Sequence, residues 1–420
     1  MCLVTFLTRA AALRLFCLTL FVGISSLGVS GRAADPAAKA NATPADPVKS
    51  ISVKSIAVQP PQSTSWTSFR NGNAQLGIAH SSLPDKLELL WKYEAGELIM
   101  STAAVVGDHV IAASLSGELF CLSRADGKRL WSYRSQTTSD PKAFIPGFKS
   151  SPLVTATTVY LGDEEGMVHA VQRATGEKLW TFKTDGEIVS SPTLFEDRLI
   201  IGSHDNSLYC LNASDGSLIW KFATEGMVNC SPAISGNYTF ITGCDEHLRV
   251  IDITTGKQKT DILLGTYLIA SPAVSDNILY VGTYASEVLA IDWTTGKNVW
   301  KYKDGQREFP YHSCAAVTAD RVIVGGHDKR VHCIDRKTGK EVWFFITKAK
   351  VNSSPVVVGD RVFVGSDDGN LYELGLADGK ERWRFNDGRG FSASPAVGEG
   401  VLVIGSESRS GNLYCFGAKR

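Results

Sequence analysis

Tryptophan returns along this chain with a fixed beat, at Trp91, Trp131, Trp180, Trp220, Trp300, Trp343 and Trp383, and Thr260 stands where one more is due. The step is 40 residues from 91 to 131, 49 from 131 to 180, and 40 again from 180 to 220. A second anchor keeps the same time: Thr102-Ala103, Ser151-Pro152, Ser191-Pro192, Ser231-Pro232, Ser271-Pro272, Cys314-Ala315, Ser354-Pro355 and Ser394-Pro395. A period of this length means that one supersecondary unit is repeated, and that no unit stands alone. Within a unit, four short apolar runs alternate with turns, as in SPTLF, RLIIGS, SLYCLN and LIWKF. The turn before the last run is Thr-Gly or Asp-Gly, at Gly127, Gly176, Gly216, Gly256, Gly296, Gly339 and Gly379. Such pairs supply the positive φ of a tight hairpin. Each unit is therefore a four-stranded antiparallel meander, strands A to D, with the Trp on D.

A lone meander cannot bury both faces, and a ring of them leaves only short, protected edges. The alternation, without helical periodicity, excludes parallel strands joined by helices. The chain carries eight A-B-C sets, from Thr102 to Phe416, preceded by an orphan D strand, LLWKYEAG. The expected fold is all-β, an eight-bladed β-propeller of four-stranded antiparallel blades over residues 66–420. The N-terminal strand closes it by pairing with the C-terminal blade through LYCFGAKR.

The repeated pattern, seen in ATGEKLW, SDGSLIW and KTGKEVW followed by a Ser-Pro strand, resembles the PQQ-like propeller repeat. Quinoprotein alcohol dehydrogenases and BamB-like outer-membrane assembly proteins share that repeat, so the resemblance implies the fold and leaves enzyme or scaffold open. The leader WTSFRNGNAQLG, Trp66 to Gly77, is similar to the segment that precedes such repeats and is expected beside the closing blade.

Residues 1–33 have basic Arg9 and Arg14, then an apolar run, then small residues, the pattern of a secretory signal peptide. The run is short for a spanning helix, and Cys17 lies inside it rather than after it, where a lipidated cysteine would sit. Residues 34–65, rich in Ala, Pro and Ser, form a disordered linker. The expected product is an exported monomer, periplasmic or extracellular, that does not span the membrane after cleavage. Lys+Arg and Asp+Glu both number 43, so there is no electrostatic footprint for nucleic acid.

One Trp per blade on the outer strand fits a structural wedge between sheets, so Trp91, Trp131, Trp180, Trp220, Trp300, Trp343 and Trp383 are assigned to structure. Trp293 lies outside that register and is assigned to packing or surface. Two positions before the anchors, where strand A enters the channel, stand Lys149, Asn229, His312, Asn352 and Ser392 among apolar residues. They line either a water-filled mouth or a small-molecule pocket. Two D-to-A loops are long, and they set Phe144, Ile145 and Phe148 four blades from Phe309, Pro310 and Tyr311. These six are candidates for gripping a partner, or for folding down over the channel. Acidic B-to-C turns, Asp163, Asp205, Asp245, Asp328 and Asp368 among them, suit hairpins through local hydrogen bonds, with a ring of cation ligands as the alternative. Cys121, Cys210, Cys333 and Cys415 share one repeat position that Ala170 and Ala290 fill elsewhere, as small packing residues do. Cys230 and Cys244 fall near opposite each other on strands A and B, which permits a disulfide in an oxidising compartment.

The resemblance implies that a quinoprotein dehydrogenase would hold PQQ between a channel Trp and a vicinal disulfide, with Ca²⁺ on acidic and amide ligands. This sequence has no Cys-Cys pair and no Trp at a strand-A channel position. No nucleophile with its base and no metal-ligand spacing emerges, so no catalytic, cofactor or metal residue is assigned. The expected function is a non-catalytic scaffold that binds envelope proteins through its loop face. A PQQ-dependent dehydrogenase and a sugar-binding propeller are the alternatives.

Overall fold

The computed structural model describes residues 63–137, 139–140 and 142–419; the expected signal peptide and nearly all of the linker lie outside the described residues. Eight antiparallel four-stranded sheets form a β-propeller. Blades 1 to 8 begin with strands A at Ala104–Val106, Leu153–Val154, Thr193–Phe195, Ala233–Ser235, Ala273–Ser275, Ala316–Val317, Val356–Val358 and Ala396–Gly398. In blade 3, strands B, C and D follow at Arg198–Ser203, Ser207–Asn212 and Leu218–Ala223. In blade 8 the outermost strand is Glu88–Glu94, paired antiparallel with Asn412–Gly417 so that Trp91 stands opposite Cys415.

The Trp wedge has a specific seat. The ring of Trp220 lies over Gly256 in the C–D turn of the next blade, where an added Cβ would fall 2.7 Å from its Cγ. Its Nε1 donates to the Ile253 carbonyl at 2.8 Å. The same pair of contacts joins Trp91 to blade 1, Trp131 to blade 2, Trp180 to blade 3, Trp300 to blade 6 and Trp343 to blade 7. Each turn glycine thus answers two demands, a positive φ and no side chain under the wedge. Across the C–D pairing, the residue facing Trp is small in six blades, Cys121, Ala170, Cys210, Ala290, Cys333 and Cys415, while Trp383 faces Glu373. Burial pushes the thiols of Cys121, Cys210, Cys333 and Cys415 up to about 12, so they act as inert packing groups.

Blade 4 departs from the rule and is compensated. Thr260 leaves room opposite the larger Val250, and Gly296 in the next turn meets only Ile262 at 3.6 Å. Trp293, three residues before Gly296, sends its ring back against Phe240 and Tyr238 of blade 4, with centroids 5.1 and 5.6 Å apart. The wedge at this boundary therefore comes from the opposite blade.

A second belt runs around the channel through the Ser-Pro anchors. The hydroxyl of Ser151 accepts the backbone N–H of Thr102 at 3.0 Å, Ser191 that of Ser151, Ser231 that of Ser191, and Ser271 that of Ser231. Cys314 Sγ accepts from Ser271 at 3.2 Å, Ser354 from Cys314, and Ser394 from Ser354. Strand-A backbone at a ring axis has no strand neighbour, so these side chains satisfy its donors.

The leader does not pack beside the closing blade alone. It threads beneath the channel and meets every blade: Thr64 O takes Glu399 N–H, Trp66 exchanges two bonds with Val105, and Thr67 O takes Val154 N–H. Asn73 Nδ2 donates to Leu194 O, while Asn73, Ala74, Leu76 and Gly77 carbonyls accept from Ile234, Val274, Val317 and Val357. Backbone groups at the inner ends of the blades need partners, and one turning segment reaches all eight, which closes that end of the channel.

Candidate functional site

The opposite end carries the D-to-A and B-to-C loops. Lys149 bridges Glu187 at 2.7 Å and Glu164 at 3.0 Å. Burial opposes its charge, but the two carboxylates prevail and raise its pKa. Glu187 also approaches His204 at 3.5 Å. His204 Nε2 pairs with Asn229 Oδ1, and Asn229 Nδ2 donates to Cys244 Sγ at 3.0 Å. Three blades on, the pattern repeats: His327 Nε2 pairs with Asn352 Oδ1 at 2.7 Å, and Asn352 Nδ2 donates to Asp367 at 3.0 Å. His312 lies against His327, ring centroids 3.9 Å apart. Burial, then His327 and Lys350, lower its pKa to about 4, so it is neutral at pH 7. Ser392 Oγ is buried with no partner among the described residues.

Lys149, Asn229, His312, Asn352 and Ser392 therefore share one rim. They do not converge on one point, because the first four spend their polar atoms or ring faces on neighbouring loops. His204 and His327 were legible only as turn residues. Their role, linking each blade to the Asn of the next, needed the ring geometry.

The aromatic loops divide. Phe144 and Phe309 are 63% and 47% exposed, and Ile145 and Pro310 are half-buried. Phe148 and Tyr311 are buried and cannot grip a partner; their rings pack on His169 at 5.4 Å and His332 at 5.5 Å. The repeat itself held the signal for this correction. Three residues before the anchors stand Ile99, Phe148, Ile188, Val228, Leu268, Tyr311, Val351 and Phe391, each buried. This side chain plugs the space over strand B of the preceding blade, as Tyr311 does over Gly282, where a Cβ would fall 2.6 Å from its own.

The acidic turns are structural. Asp163 Oδ1 accepts from Glu165 and Met167 N–H at 3.0 and 2.8 Å, and its Oδ2 pairs with buried His169 at 2.9 Å. Asp328 is bound in the same way to Arg330 N–H and His332, and Asp368 to Asn370 N–H and Tyr372. Among the described residues no group of three or more His, Cys, Asp or Glu could hold a metal ion. The expected Cys230–Cys244 bridge is not formed, and both thiols are free. Cys230 Sγ faces strand B and accepts Thr242 N–H at 3.1 Å, whereas Cys244 Sγ is turned to Asn229 on the loop face.

On this face Phe309, which its lengthened loop had pointed to, belongs to a wider apolar group. On successive loops from the end of blade 3 to the start of blade 6, Met227, Tyr267, Ile269, Tyr284 and Phe309 are all exposed. They vary from repeat to repeat, so no period announces them. The polar rim breaks in this sector, between Cys244 and His312.

Comparisons place this geometry among known proteins. The family described as outer membrane protein assembly factor BamB matches residues 84–165, 164–308 and 307–419. BamB of Xanthomonas campestris is 26% identical over 113 residues, 26% of this chain and 28% of that protein, so the aligned part spans well under a third of that relative. The crystal structure of BamB from Moraxella catarrhalis superposes with a TM-score of 0.66 at 22% identity, covering 80% of this chain and 98% of that one. Quinohemoprotein alcohol dehydrogenase from Comamonas testosteroni superposes at 0.72 with 15% identity, covering 85% and 81%. These two likenesses concern the fold.

Proposed function

Because this chain belongs to the family of outer membrane protein assembly factor BamB, we propose that it is an exported, non-catalytic propeller that docks a cell-envelope protein against its loop face. One observation carries the reading: Met227, Tyr267, Ile269, Tyr284 and Phe309 keep 39–53% of their surface exposed on adjoining loops of that face. Aromatic and Met side chains are enriched where proteins meet, and the rings bury large area at low entropic cost. The polar residues of the rim support the same reading, since they are bonded to one another in patterns that stiffen the face. Among the described residues, His204 pairs with Asn229 and Glu187, and His327 Nε2 with Asn352, rather than with a nucleophilic hydroxyl.

Capture from envelope extract tests the proposal. The intact protein should retain a partner that a Tyr267→Ala/Phe309→Ala variant loses, with both proteins melting alike. Unchanged capture would remove the docking face. Dye-linked alcohol oxidation by protein incubated with PQQ and Ca²⁺ would replace the scaffold with an enzyme.

A further inference from the structure

The floor of the channel contains a charge that nothing among the described residues balances. Arg70, carried by the leader, is wholly buried. Its Nη2 donates to the Ala315 carbonyl at 3.0 Å, while Nε and Nη1 have no acceptor among the described residues. No carboxylate of the described residues forms an ion pair with it, and its one hydrogen bond goes to a carbonyl. Burial lowers the guanidinium pKa to about 10, against a raising influence from Cys314, so the group still carries its charge at pH 7. A buried cation without a partner is among the costliest groups a fold can hold.

The chain goes to some length to put it there. Arg70, Asn71 and Gln75 all adopt positive φ, at 58°, 57° and 56°, a conformation that costs side-chain-bearing residues energy. Gly77 lacks the Cβ that would fall 2.5 Å from Arg70 Cζ, so the guanidinium lies across its backbone. Gln75 reaches the anchor belt at blade 4, its Nε2 fixed on Ser231 and Pro232 carbonyls and its Oε1 buried without a donor among the described residues.

The contact with Ala315 sets Arg70 at the level of the anchor belt. Belt hydroxyls spend an acceptor site on the neighbouring N–H, which leaves the hydroxyl proton free to donate. Thr102 and the six belt serines keep 3–6% of their surface, whereas Ser150, Ser190, Ser313 and Ser353 one residue earlier keep none. The belt side chains thus border the space inside the channel.

We propose that this floor binds one small monovalent inorganic anion of the halide class, held between the Arg70 guanidinium and the hydroxyl protons of the belt. A single charge matches a single arginine, and donors all around suit a spherical ion. A water accompanying the ion supplies the proton that Gln75 Oε1 lacks. The proposal is independent of the docking face, because the site lies at the closed end.

Thermal unfolding of the purified protein in sodium chloride and in sodium gluconate at equal ionic strength tests it. Chloride should raise the melting temperature saturably, and gluconate, too large for the belt, should not. Arg70→Met should abolish the chloride response, and Ser231→Ala should raise the half-saturating concentration several-fold. Equal response to both salts, or a chloride response surviving in Arg70→Met, would overturn the proposal. Should Arg70→Met fail to fold, crystals of the unaltered protein grown in bromide decide. An anomalous peak beside Arg70 within the belt supports the site, and its absence refutes it.

Discussion

At the floor of the channel one segment meets all eight blades, mostly through its backbone, whereas at the loop face the side chains described meet only their own or an adjacent blade. The first arrangement depends little on which side chains are present, because carbonyls of the leader do the bonding. It locks the ring and holds Arg70 wholly buried at that end. The second depends on particular pairs, His204 with Asn229 and His327 with Asn352, and leaves Tyr267, Tyr284 and Phe309 facing solvent. If the loop face docks a partner as proposed, stability and recognition are separated to opposite ends of one molecule.

That separation can be broken or sharpened by experiment. The largest effect is expected from deleting Leu89 to Gly96, which strips blade 8 of its outer strand and uncovers the apolar cluster around Trp66, Phe363 and Phe416. The protein should then fail to show a cooperative melt, and a melt like that of the intact chain would mean that the ring does not need closing. Next, Trp220→Ala should cost about 3–5 kcal/mol by chemical denaturation, because a large ring leaves its glycine seat and the Ile253 carbonyl loses its donor. Trp293→Ala should cost roughly half as much, since both rings are half-buried but Trp293 has no glycine seat and its Nε1 makes only a 3.4 Å contact with Asp276 O. Equal costs would mean that the compensating wedge of blade 5 is as strong as the regular one.

A smaller effect concerns pH. Burial, with His327 and Lys350 nearby, holds His312 near 4 in the folded protein against 6.5 for the free side chain. The unfolded chain therefore binds the proton first as pH falls. The stability that neutral His312 contributes is complete above pH 6.5 and drains away between pH 6.5 and 4. His312→Gln should flatten that part of a stability–pH curve, and an unchanged slope would assign the acid sensitivity elsewhere. Smallest of all, Phe309→Ala should move stability by less than about 0.5 kcal/mol while weakening partner capture, as befits an exposed side chain on the recognition end. A large loss of stability would tie that loop to the fold instead.

The Trp and Ser-Pro anchors made blade number, strand order and the closing strand legible, because each recurs at a position where the geometry of every blade imposes the same demand. The register also distinguished Trp220 from Trp293. It went unused at Phe148 and Tyr311, whose loops are lengthened before them, so that residues in perfect repeat position resembled insertions. The leader was misplaced for a different reason: its bonds are made by backbone groups to strands far away in sequence, and side-chain patterns carry no trace of such bonds. For Cys230 and Cys244, proximity along paired strands said nothing about the direction of each Sγ.

What the sequence by itself determined is the repeat and therefore the ring, since apolar alternation and positive-φ turns act over a few residues and are written locally. Only the tertiary structure decided which end is closed, which aromatic side chains remain exposed, and that Arg70 stands unbalanced at the channel floor. Those outcomes depend on contacts between residues that can be more than two hundred positions apart, such as Arg70 and Ala315, and distance of that kind becomes defined only once the circle has closed.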